Sequence, residues 1–494
     1  MAGIKSLARD TAVYGLSSIV GRFLNWCLVP LYTITFSQAD YGVVTLVYSV
    51  VAVAMLVLTY GMETGFFRFA NHERWSDPME VYSTALVSVA STSVLFIAGV
   101  LCALGPVSRW MECAEHPSFV GMMAVCVAVD AFTALPFSYL RYRSRPMRFA
   151  ALRLVGIGVN IGLNLFFLLL CPWLMRDVPW TVEWFYRPDF GIGYIFLSNL
   201  VSTLVTLALL VPELRGFRWR FNARLWREML GYSAPLLVLG VAGIMNQTID
   251  KILFPVLLPD HADAMAQLGI YGANYKIAIV MVMFIQAFRF AYEPFIFARS
   301  REQGETRMAA YSDAMKYFVL FALLIFLGVM YYLDILRYFI SPRYFSGLKV
   351  VPVVMLAELC FGVFFNLSLW YKLTDRTVWG AWFSLLGLAV TVALNVLLVP
   401  CIGYMGCAYA ALASYGVMML ASYAAGRRYY PIDYPVARIL AYCAAAAVLY
   451  YAGVHLLAPL PAGAAAALRA VLLAGYVAAV VRFEHIPLPK PFRR

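Results

Sequence analysis

Long apolar stretches follow one another along the whole chain, and short polar segments separate them. A bilayer core of about 30 Å requires roughly 20 apolar residues in each membrane-crossing helix. The stretches are apolar at nearly every position rather than at alternate positions, which favours helices over the strands of a membrane barrel. We predict about fourteen transmembrane helices, near residues 11–36, 39–62, 83–105, 118–140, 149–171, 190–212, 231–258, 266–293, 314–340, 348–371, 378–399, 403–426, 436–457 and 463–483.

The composition agrees with this pattern and excludes an ordinary soluble globular protein. Apolar residues make up 63% of the 494 residues and charged residues 13%, against roughly 45–50% and about 25% in soluble domains. The longest predicted connections, residues 172–190 and 215–230, are too short for a folded soluble domain. The predicted fold class is therefore an all-α integral membrane protein.

The positions of the basic residues predict how the chain is oriented in the membrane. Loops on the cytoplasmic side carry an excess of Lys and Arg. With the N-terminus inside, 26 of the 38 basic residues fall in inner connections and seven in outer ones. We therefore expect a multi-pass protein with both termini cytoplasmic. This orientation also explains the net charge of +12 without a nucleic-acid partner.

The chain contains a weak internal repeat. The pair Tyr41–Gly42 recurs as Tyr271–Gly272, an offset of 230 residues, and Leu163–Asn164 recurs as Leu394–Asn395, an offset of 231 residues. Because the register agrees across two separated helix pairs, we predict two pseudo-symmetric six-helix bundles followed by two extra helices. Such related halves around a central cavity are typical of transporters. The predicted divisions are 1–230, 231–430 and 431–494.

Several chemistries are missing from the sequence. The dipeptide Gly-Lys does not occur, so the chain has no Walker phosphate-binding loop and cannot itself use ATP in that way. The five histidines are dispersed without metal-ligand spacing, and the nine cysteines include no Cys-x-x-Cys pair. We expect no catalytic residues, no metal and no cofactor, and we do not expect an enzyme.

Charged residues inside the predicted helices are the main candidates for function. A central charge in a membrane helix costs about 2.5–3.5 kcal/mol and normally faces a water-filled cavity or an opposite charge. For Arg22 and Lys276 we favour contact with substrate, and the alternative is a structural ion pair with Asp130 or Glu358. The six deepest charges are Arg22, Asp130, Asp250, Lys251, Lys276 and Glu358.

Two of these charges, Asp250 and Lys251, are neighbours in the predicted seventh helix. Adjacent residues on a helix point about 100° apart, so we expect them not to face each other and at least one to find another partner. Aligning the two halves places Arg22 opposite Gln247, at matching depth in the first helix of each half, as a shared cavity requires. Three charges nearer the helix ends are expected to snorkel to the interface: Arg153, Arg289 and Asp334.

Short patterns of small and aromatic residues add a resemblance to a known family. In the first half these patterns are Leu7–Ser17, Gly21–Arg22, Pro30–Tyr32 and Asp40–Gly42, and in the second half they are Tyr232–Pro235, Asp250–Lys251 and Leu268–Gly272. In these segments the chain resembles bacterial polysaccharide biosynthesis proteins, which are oligosaccharide flippases of the multidrug/oligosaccharidyl-lipid/polysaccharide (MOP) exporter superfamily.

This resemblance implies a function and a site. It implies two bundles that open alternately to either side of the bacterial inner membrane and move an undecaprenyl-pyrophosphate-linked oligosaccharide to the outer leaflet. In related flippases an arginine of the first helix serves the anionic headgroup, and Arg22 matches that role. We predict substrate contacts at Arg22, Lys251 and Lys276. Asp250, Asp130 and Glu358 are predicted to couple a cation, either a proton or sodium, or to form structural ion pairs.

Two other functions compete with this hypothesis. A multidrug exporter of the same fold binds cations and favours acids in its cavity, but the deep charges are three bases against three acids. A membrane polysaccharide polymerase or polyprenyl-dependent glycosyltransferase is disfavoured, because such enzymes usually carry a large outer loop or an acidic loop near the first helices. The segment Ser37–Asp40 is a poor candidate for such a loop.

Overall fold

The computed structural model describes residues 14–17, 19–72, 74–75, 77–217, 220–299, 305–374 and 376–484. Within these residues the chain is helical, and they contain no strand. Thirteen helices of this part of the chain are long and apolar enough to cross a membrane, and an interrupted helix precedes them. The predicted all-α membrane fold with about fourteen transmembrane helices is confirmed. The segment of the family resemblance before residue 14 lies outside the described residues.

The first seven transmembrane helices are named α1 to α7 in chain order. Three of them consist of consecutive helical segments. Helix α1 comprises residues 14–17, 19–26 and Val29–Thr35. The others are α2 (Gln38–Thr59, then Met62–Ala70), α3 (Pro78–Cys102), α4 (Pro117–Tyr142), α5 (Pro146–Leu165, a π-helical turn Phe166–Leu170, then Cys171–Asp177), α6 (Gly193–Leu210) and α7 (Ala223–Leu257).

The remaining seven helices are named in the same way. Short helical turns connect some of them, including Leu333–Leu336 and Pro342–Gly347 between α9 and α10. The helices are α8 (His261–Arg299), α9 (Glu305–Tyr331), α10 (Val350–Leu367, then Leu369–Leu373), α11 (Val378–Ile402), α12 (Tyr404–Tyr429), α13 (Val436–Tyr451, then Ala452–Leu456) and α14 (Ala462–Phe483).

Local sequence explains where several helices begin. Helix α1 is interrupted by a turn at Cys27–Leu28, just before Pro30, whose ring and missing N–H disfavour a continuous helix. Ser37 caps α2 through a reciprocal capping box, in which its hydroxyl accepts from the backbone N–H of Asp40 at 3.1 Å and the Asp40 carboxylate accepts from the backbone N–H of Ser37 at 3.2 Å. The segment Ser37–Asp40 therefore serves as a helix cap.

Some helix ends differ from the predicted ones. The second half of the predicted connection 215–230 is helical, because Asn222 accepts hydrogen bonds from the N–H groups of Arg224 and Leu225 and starts α7 at Ala223. Helix α9 ends at Tyr331 rather than near residue 340, and short turns precede the helix breaker Pro342. The start of α7 is polar, so the apolar pattern did not include it, whereas the apolar residues after Tyr331 extended the predicted α9 too far.

The described residues form two compact units. The N-terminal unit contains the described residues up to Ala273 together with Leu388–Cys407, and the C-terminal unit contains Asn274–Gly387 and the described residues from Ala408 onward. The divisions predicted at residues 230 and 430 concern the sequence repeat and stay a prediction.

The N-terminal unit is built around α4, which packs against α2, α3 and α6, while α5 packs against α6. One of its apolar cores joins α2, α3, α4 and α7 and contains the fully buried side chains of Phe66, Tyr82 and Met229. The rings of Tyr82 and Tyr139 stack with centroids 4.7 Å apart. This packing fixes the relative positions of α4, which carries Asp130, and α7, which carries Asp250 and Lys251.

In the C-terminal unit the two extra helices are held against α9 at one of their ends. The Arg469 guanidinium of α14 donates to the carbonyl oxygens of Tyr331 and Gly453 at 2.9 and 2.8 Å and pairs with Asp334 at 3.0 Å. The hydroxyl of Tyr331 donates in turn to the carbonyl of Leu449 in α13 at 2.7 Å. One arginine therefore joins three helical segments.

A second clamp holds the other end of the same helices. Glu484, directly after α14, pairs with Lys316 of α9 and accepts a hydrogen bond from the Tyr442 hydroxyl of α13 at 2.6 Å. Burial raises the pKa of Glu484, but the hydrogen bonds from Lys316 and Tyr442 outweigh it and place that pKa below its usual value. The carboxylate is therefore ionised at neutral pH, and α13 and α14 are integral parts of the C-terminal unit.

Within the N-terminal unit, α2 and α8 approach until their backbones touch. A Cβ atom on Gly269 would collide with the backbone carbonyl oxygen of Gln38, and a Cβ atom on Gly42 would collide with that of Met265. Small residues allow such close approach of membrane helices, whose association depends on packing rather than on the hydrophobic effect. The contact therefore requires glycine at both positions.

We predict that Gly269→Ala destabilises the protein by about 1–3 kcal/mol, because the added methyl group overpacks a backbone contact. Thermal unfolding of the purified protein in detergent, followed by its tryptophan fluorescence, measures this effect. The matched control is Gly158→Ala in α5, where a Cβ atom meets nothing within 4 Å. Equal unfolding temperatures for the two variants would contradict the proposed role of the contact.

Candidate functional site

A polar cavity of about 370 Å³ lies among α1, α4, α5 and α6 of the N-terminal unit. Polar and charged side chains dominate its wall, although these helices lie in the apolar, membrane-crossing part of the chain. Lipid does not solvate such groups, so they mark a water-accessible or ligand-binding space. The polar residues of the wall are Ser17, Arg22, Asn25, Asp130, Thr133, Arg153, Asn160, Asn199, Ser202, Thr203 and Thr206.

Helical spacing brings these residues to one face of each helix. On α5 the lining positions are Arg153, Gly156, Ile157 and Asn160, which follow the i, i+3, i+4 and i+7 pattern of a single face. Gly156 also lets α5 approach α6 closely, and the Ser202 hydroxyl donates to its carbonyl oxygen at 2.7 Å. The wall between α5 and α6 is therefore tightly packed and directs its polar groups to the cavity.

Arg22 and Asp130, which the sequence singled out, both line this cavity. The carboxylate of Asp130 accepts a hydrogen bond from the Thr203 hydroxyl at 3.2 Å. Among the residues that the structure describes, Arg22 forms no ion pair and no side-chain hydrogen bond, so the alternative Arg22–Asp130 pair is not formed in this conformation. The roles predicted for these two residues stay predictions.

Arg153 belongs to the same cavity, which the sequence did not predict. Its guanidinium carbon lies 4.1 Å from the centroid of the Phe137 ring and 5.8 Å from that of Phe149. The snorkelling expected from its depth along the helix stays a prediction, and the ring contacts hold the side chain at the cavity wall. The polar face shared by Arg153 and Asn160 was the available signal for this placement.

A chain of hydrogen bonds crosses the deep part of the N-terminal unit. The Tyr32 hydroxyl donates to the Asn164 amide oxygen at 2.9 Å, the Asn164 amide donates to Asn160 at 3.0 Å, and Asn160 donates to Asn199 at 2.9 Å. Asn199 then donates to the Tyr48 hydroxyl at 2.7 Å. In each asparagine the amide oxygen accepts from the preceding member of the chain and the amide nitrogen donates to the next one. The chain therefore fixes the orientation of Asn160 and Asn199 on the cavity wall.

The neighbours Asp250 and Lys251 pair with each other, contrary to our expectation. The Lys251 ammonium nitrogen lies 3.0 and 3.2 Å from the two carboxylate oxygens of Asp250 and 2.8 Å from the carbonyl oxygen of Gln247. The expectation that they do not face each other was wrong, because the flexible lysine side chain spans the 100° between adjacent helical positions. The expectation that at least one of them finds another partner is confirmed. The Tyr271 hydroxyl also donates to Asp250 at 2.9 Å, so this buried acid is neutralised within the N-terminal unit.

The other two deep charges belong to the C-terminal unit. Glu358 of α10 is buried and accepts a hydrogen bond from the Tyr275 hydroxyl of α8 at 2.6 Å. Lys276, the next residue of α8, is half-buried. The three predicted substrate contacts Arg22, Lys251 and Lys276 therefore divide between the two units, with two in the N-terminal one.

The described residues contain no group of three His, Cys, Asp or Glu side chains that could hold a metal ion. The arrangement instead offers positive charge, amides and hydroxyls around a space inside a membrane bundle. Such groups are typical of a water-accessible space inside a membrane bundle. The fold and the site together define a multi-pass membrane protein with a polar cavity in its N-terminal unit.

Comparison with known proteins identifies the family. The family described as polysaccharide biosynthesis protein matches residues 7–298, more than half of the chain. The chain therefore belongs to the polysaccharide biosynthesis protein family, as the sequence motifs predicted. No curated protein matches this chain.

Solved structures of low sequence identity share the fold. A lipid II flippase, MurJ, in an inward closed conformation aligns with a TM-score of 0.74 at 11% identity, covering 96% of this chain and 98% of that one. An inward-facing multidrug resistance MATE family transporter of the MOP superfamily aligns with a TM-score of 0.66 at 13% identity, covering 88% and 98%. The MATE multidrug transporter DinF-BH aligns with a TM-score of 0.62 at 12% identity, covering 86% and 96%.

We predict that Asp250→Asn and Lys251→Met each lower the stability of the protein by about 3–5 kcal/mol, because each leaves the other charge buried without its partner. The double variant should recover much of the loss. Thermal unfolding in detergent measures both effects, with Asp177→Asn, an exposed acid, as the control. A double variant no more stable than the single ones would contradict the mutual neutralisation of these two charges.

Proposed function

We propose that this protein flips a polyprenyl-pyrophosphate-linked oligosaccharide from the inner to the outer leaflet of the bacterial inner membrane, with both termini cytoplasmic. The observation that carries the proposal is the polar cavity in the N-terminal unit, which contains Arg22 of α1 without an ion pair to any described residue. The lipid tail stays in the bilayer, and the headgroup occupies the cavity. The protein makes and breaks no covalent bond in this process.

The chemistry of the cavity suits an anionic headgroup. Arginine is always charged, and its forked donors match the geometry of phosphate oxygens. Electrostatic attraction is stronger in a cavity with low-dielectric walls than in water. Hydroxyl and amide groups on the same wall supply neutral hydrogen-bonding partners of the kind that sugars need.

The position of the charges distinguishes the proposed flippase from the alternative function, a multidrug exporter of the same fold. Deep bases and acids are equal in number along the chain, so counting alone does not distinguish an anion flippase from a cation exporter. In the N-terminal cavity, however, Arg22 and Arg153 stand against the single acid Asp130. A cationic drug would meet a net positive wall there, whereas a pyrophosphate would be attracted.

We predict that Arg22→Ala slows flipping at least about tenfold while the protein stays folded and inserted, because one charge-assisted hydrogen bond is worth about 1.5–3 kcal/mol. Arg22→Lys should rescue only partly, since a point charge cannot make bidentate contacts. The assay is leaflet accessibility of a fluorescent lipid-linked oligosaccharide in proteoliposomes, with the exposed Arg176→Ala as control.

A double variant tests the structural alternative for Arg22. If Arg22→Ala combined with Asp130→Ala flips at the wild-type rate, the arginine only balances the acid and the headgroup contact is wrong. A folded but inactive double variant supports the contact. Export of lipophilic cations, with no movement of the lipid-linked oligosaccharide by the wild-type protein, would establish the rival function instead.

We also predict that an inside-negative membrane potential accelerates outward flipping and that ATP does not. A pyrophosphate diester carries two negative charges, and each charge gains roughly 2.3 kcal/mol per 100 mV when it crosses the membrane in that direction. Potassium gradients with valinomycin set the potential in proteoliposomes, and proton or sodium gradients are imposed separately to detect a coupling cation. Flipping rates that are the same with and without each of these gradients would contradict the prediction and would show uncoupled equilibration.

A further inference from the structure

The ammonium group of Lys251 lies among oxygen atoms of α7. Its nitrogen is 3.0 and 3.2 Å from the two carboxylate oxygens of Asp250 and 2.8 Å from the backbone carbonyl oxygen of Gln247. The ring of Tyr271 also faces it, with the ring centroid 5.4 Å from the nitrogen. Carboxylate and carbonyl oxygens are the ligands of hard metal cations, and carbonyl oxygens replace the hydration shell of potassium in its channels. The lysine therefore occupies a place in which the same oxygens would bind a free cation.

The oxygen ligands are held in place by groups other than the lysine. Tyr271 of α8 is fully buried, and its hydroxyl donates to the Asp250 carboxylate at 2.9 Å. The carbonyl of Gln247 belongs to the backbone of α7, whose helical geometry fixes its position. Removal of the ammonium group would thus leave the carboxylate and the carbonyl facing a vacated space.

Charge and spacing favour a monovalent ion in this space. Asp250 supplies a single negative charge, which a monovalent cation neutralises as the ammonium does. The oxygens lie 2.8–3.2 Å from the ammonium nitrogen, whereas calcium and magnesium bind oxygens at about 2.3–2.6 Å and about 2.0–2.1 Å. The Lys251 side chain is 11% exposed, so a small dissolved ion has access to the position of its ammonium group.

We propose that Lys251 is a built-in cation: its ammonium group occupies a monovalent-cation site of α7 and takes the place of a sodium or potassium ion bound by Asp250 and Gln247. A covalently attached cation stays beside the acid at any salt concentration, whereas a dissolved ion binds only near or above its dissociation constant. Asp250 is then unavailable to a dissolved coupling ion. This site lies apart from the polar cavity among α1, α4, α5 and α6, and the inference does not depend on the proposed function.

The test is thermal unfolding of the purified full-length protein in detergent, in choline, sodium or potassium chloride at equal ionic strength. The wild type should unfold at the same temperature in every salt. Lys251→Ala removes the ammonium group and opens space for an ion, so it should unfold at a lower temperature in choline chloride and regain stability in sodium or potassium chloride. The gain should increase with the logarithm of the ion concentration. A pH of about 8 limits the competition of protons with the ions for Asp250.

Lys251→Met is the matched control, because its apolar side chain fills the vacated space and leaves no room for an ion. It should be destabilised to the same degree in every salt. Lys251→Ala combined with Asp250→Asn removes the acidic ligand and should lose the response to sodium and potassium. Equilibrium dialysis with radioactive sodium or rubidium, a substitute for potassium, should show binding to Lys251→Ala in excess of that to the wild type and to Lys251→Met.

An unfolding temperature of Lys251→Ala that is the same in all these salts, with no excess ion bound, would overturn the inference. A response that Lys251→Met shares would be a general salt effect and would overturn it as well. If Lys251→Ala cannot be purified, Lys251→Ser carries the test, because it opens the same space and adds a hydroxyl oxygen. Failure of both variants to fold in any salt, while Lys251→Met folds, would show that dissolved ions cannot replace the ammonium group.

Discussion

A charged side chain inside a bilayer has to be neutralised by a partner or surrounded by water and protein dipoles, and this requirement organises the molecule. The N-terminal unit meets it in two ways. In α7, Lys251 folds back onto Asp250 and Tyr271 completes the hydrogen bonds, so this buried pair is neutralised internally. In the cavity among α1, α4, α5 and α6, Arg22 and Arg153 lie at the wall of an open polar space. The Asp250–Lys251 pair keeps its charges compatible with helix packing, and the cavity leaves positive charge available to a ligand.

The sequence predicted the helices well and the charge partners poorly, for physical reasons. The length of an apolar run is set by bilayer thickness, so α3 or α4 can be located from composition alone. A helical wheel gives the direction of a Cα–Cβ bond but not the reach of a lysine, which is why the pairing of Asp250 with Lys251 was missed. Depth along a helix does not reveal an aromatic neighbour, so Arg153 and its contact with Phe137 were missed as well.

The weak sequence repeat corresponds to a repeated structural detail. Asn164 of α5 and Asn395 of α11 occupy matching positions in the two halves, and each side-chain amide donates to the backbone carbonyl four residues earlier, at 2.8 Å in both cases. Each of these helices is also tied to the first helix of its half. Tyr32 of α1 donates to Asn164, and Thr391 of α11 donates to Asn246 of α7 at 3.4 Å. A polar tie between the first and fifth helices is therefore common to both halves.

The halves differ in what surrounds that common tie. In the first half the tie extends through Asn160 and Asn199 to the cavity wall that carries Arg153. In the second half the first helix, α7, carries the internally neutralised pair of Asp250 and Lys251. The two helix pairs thus share a structural hydrogen bond and differ in the charges around it. Because an anion is attracted only by positive charge that no neighbouring side chain has already neutralised, the first helices of the two halves present different charge environments to a ligand.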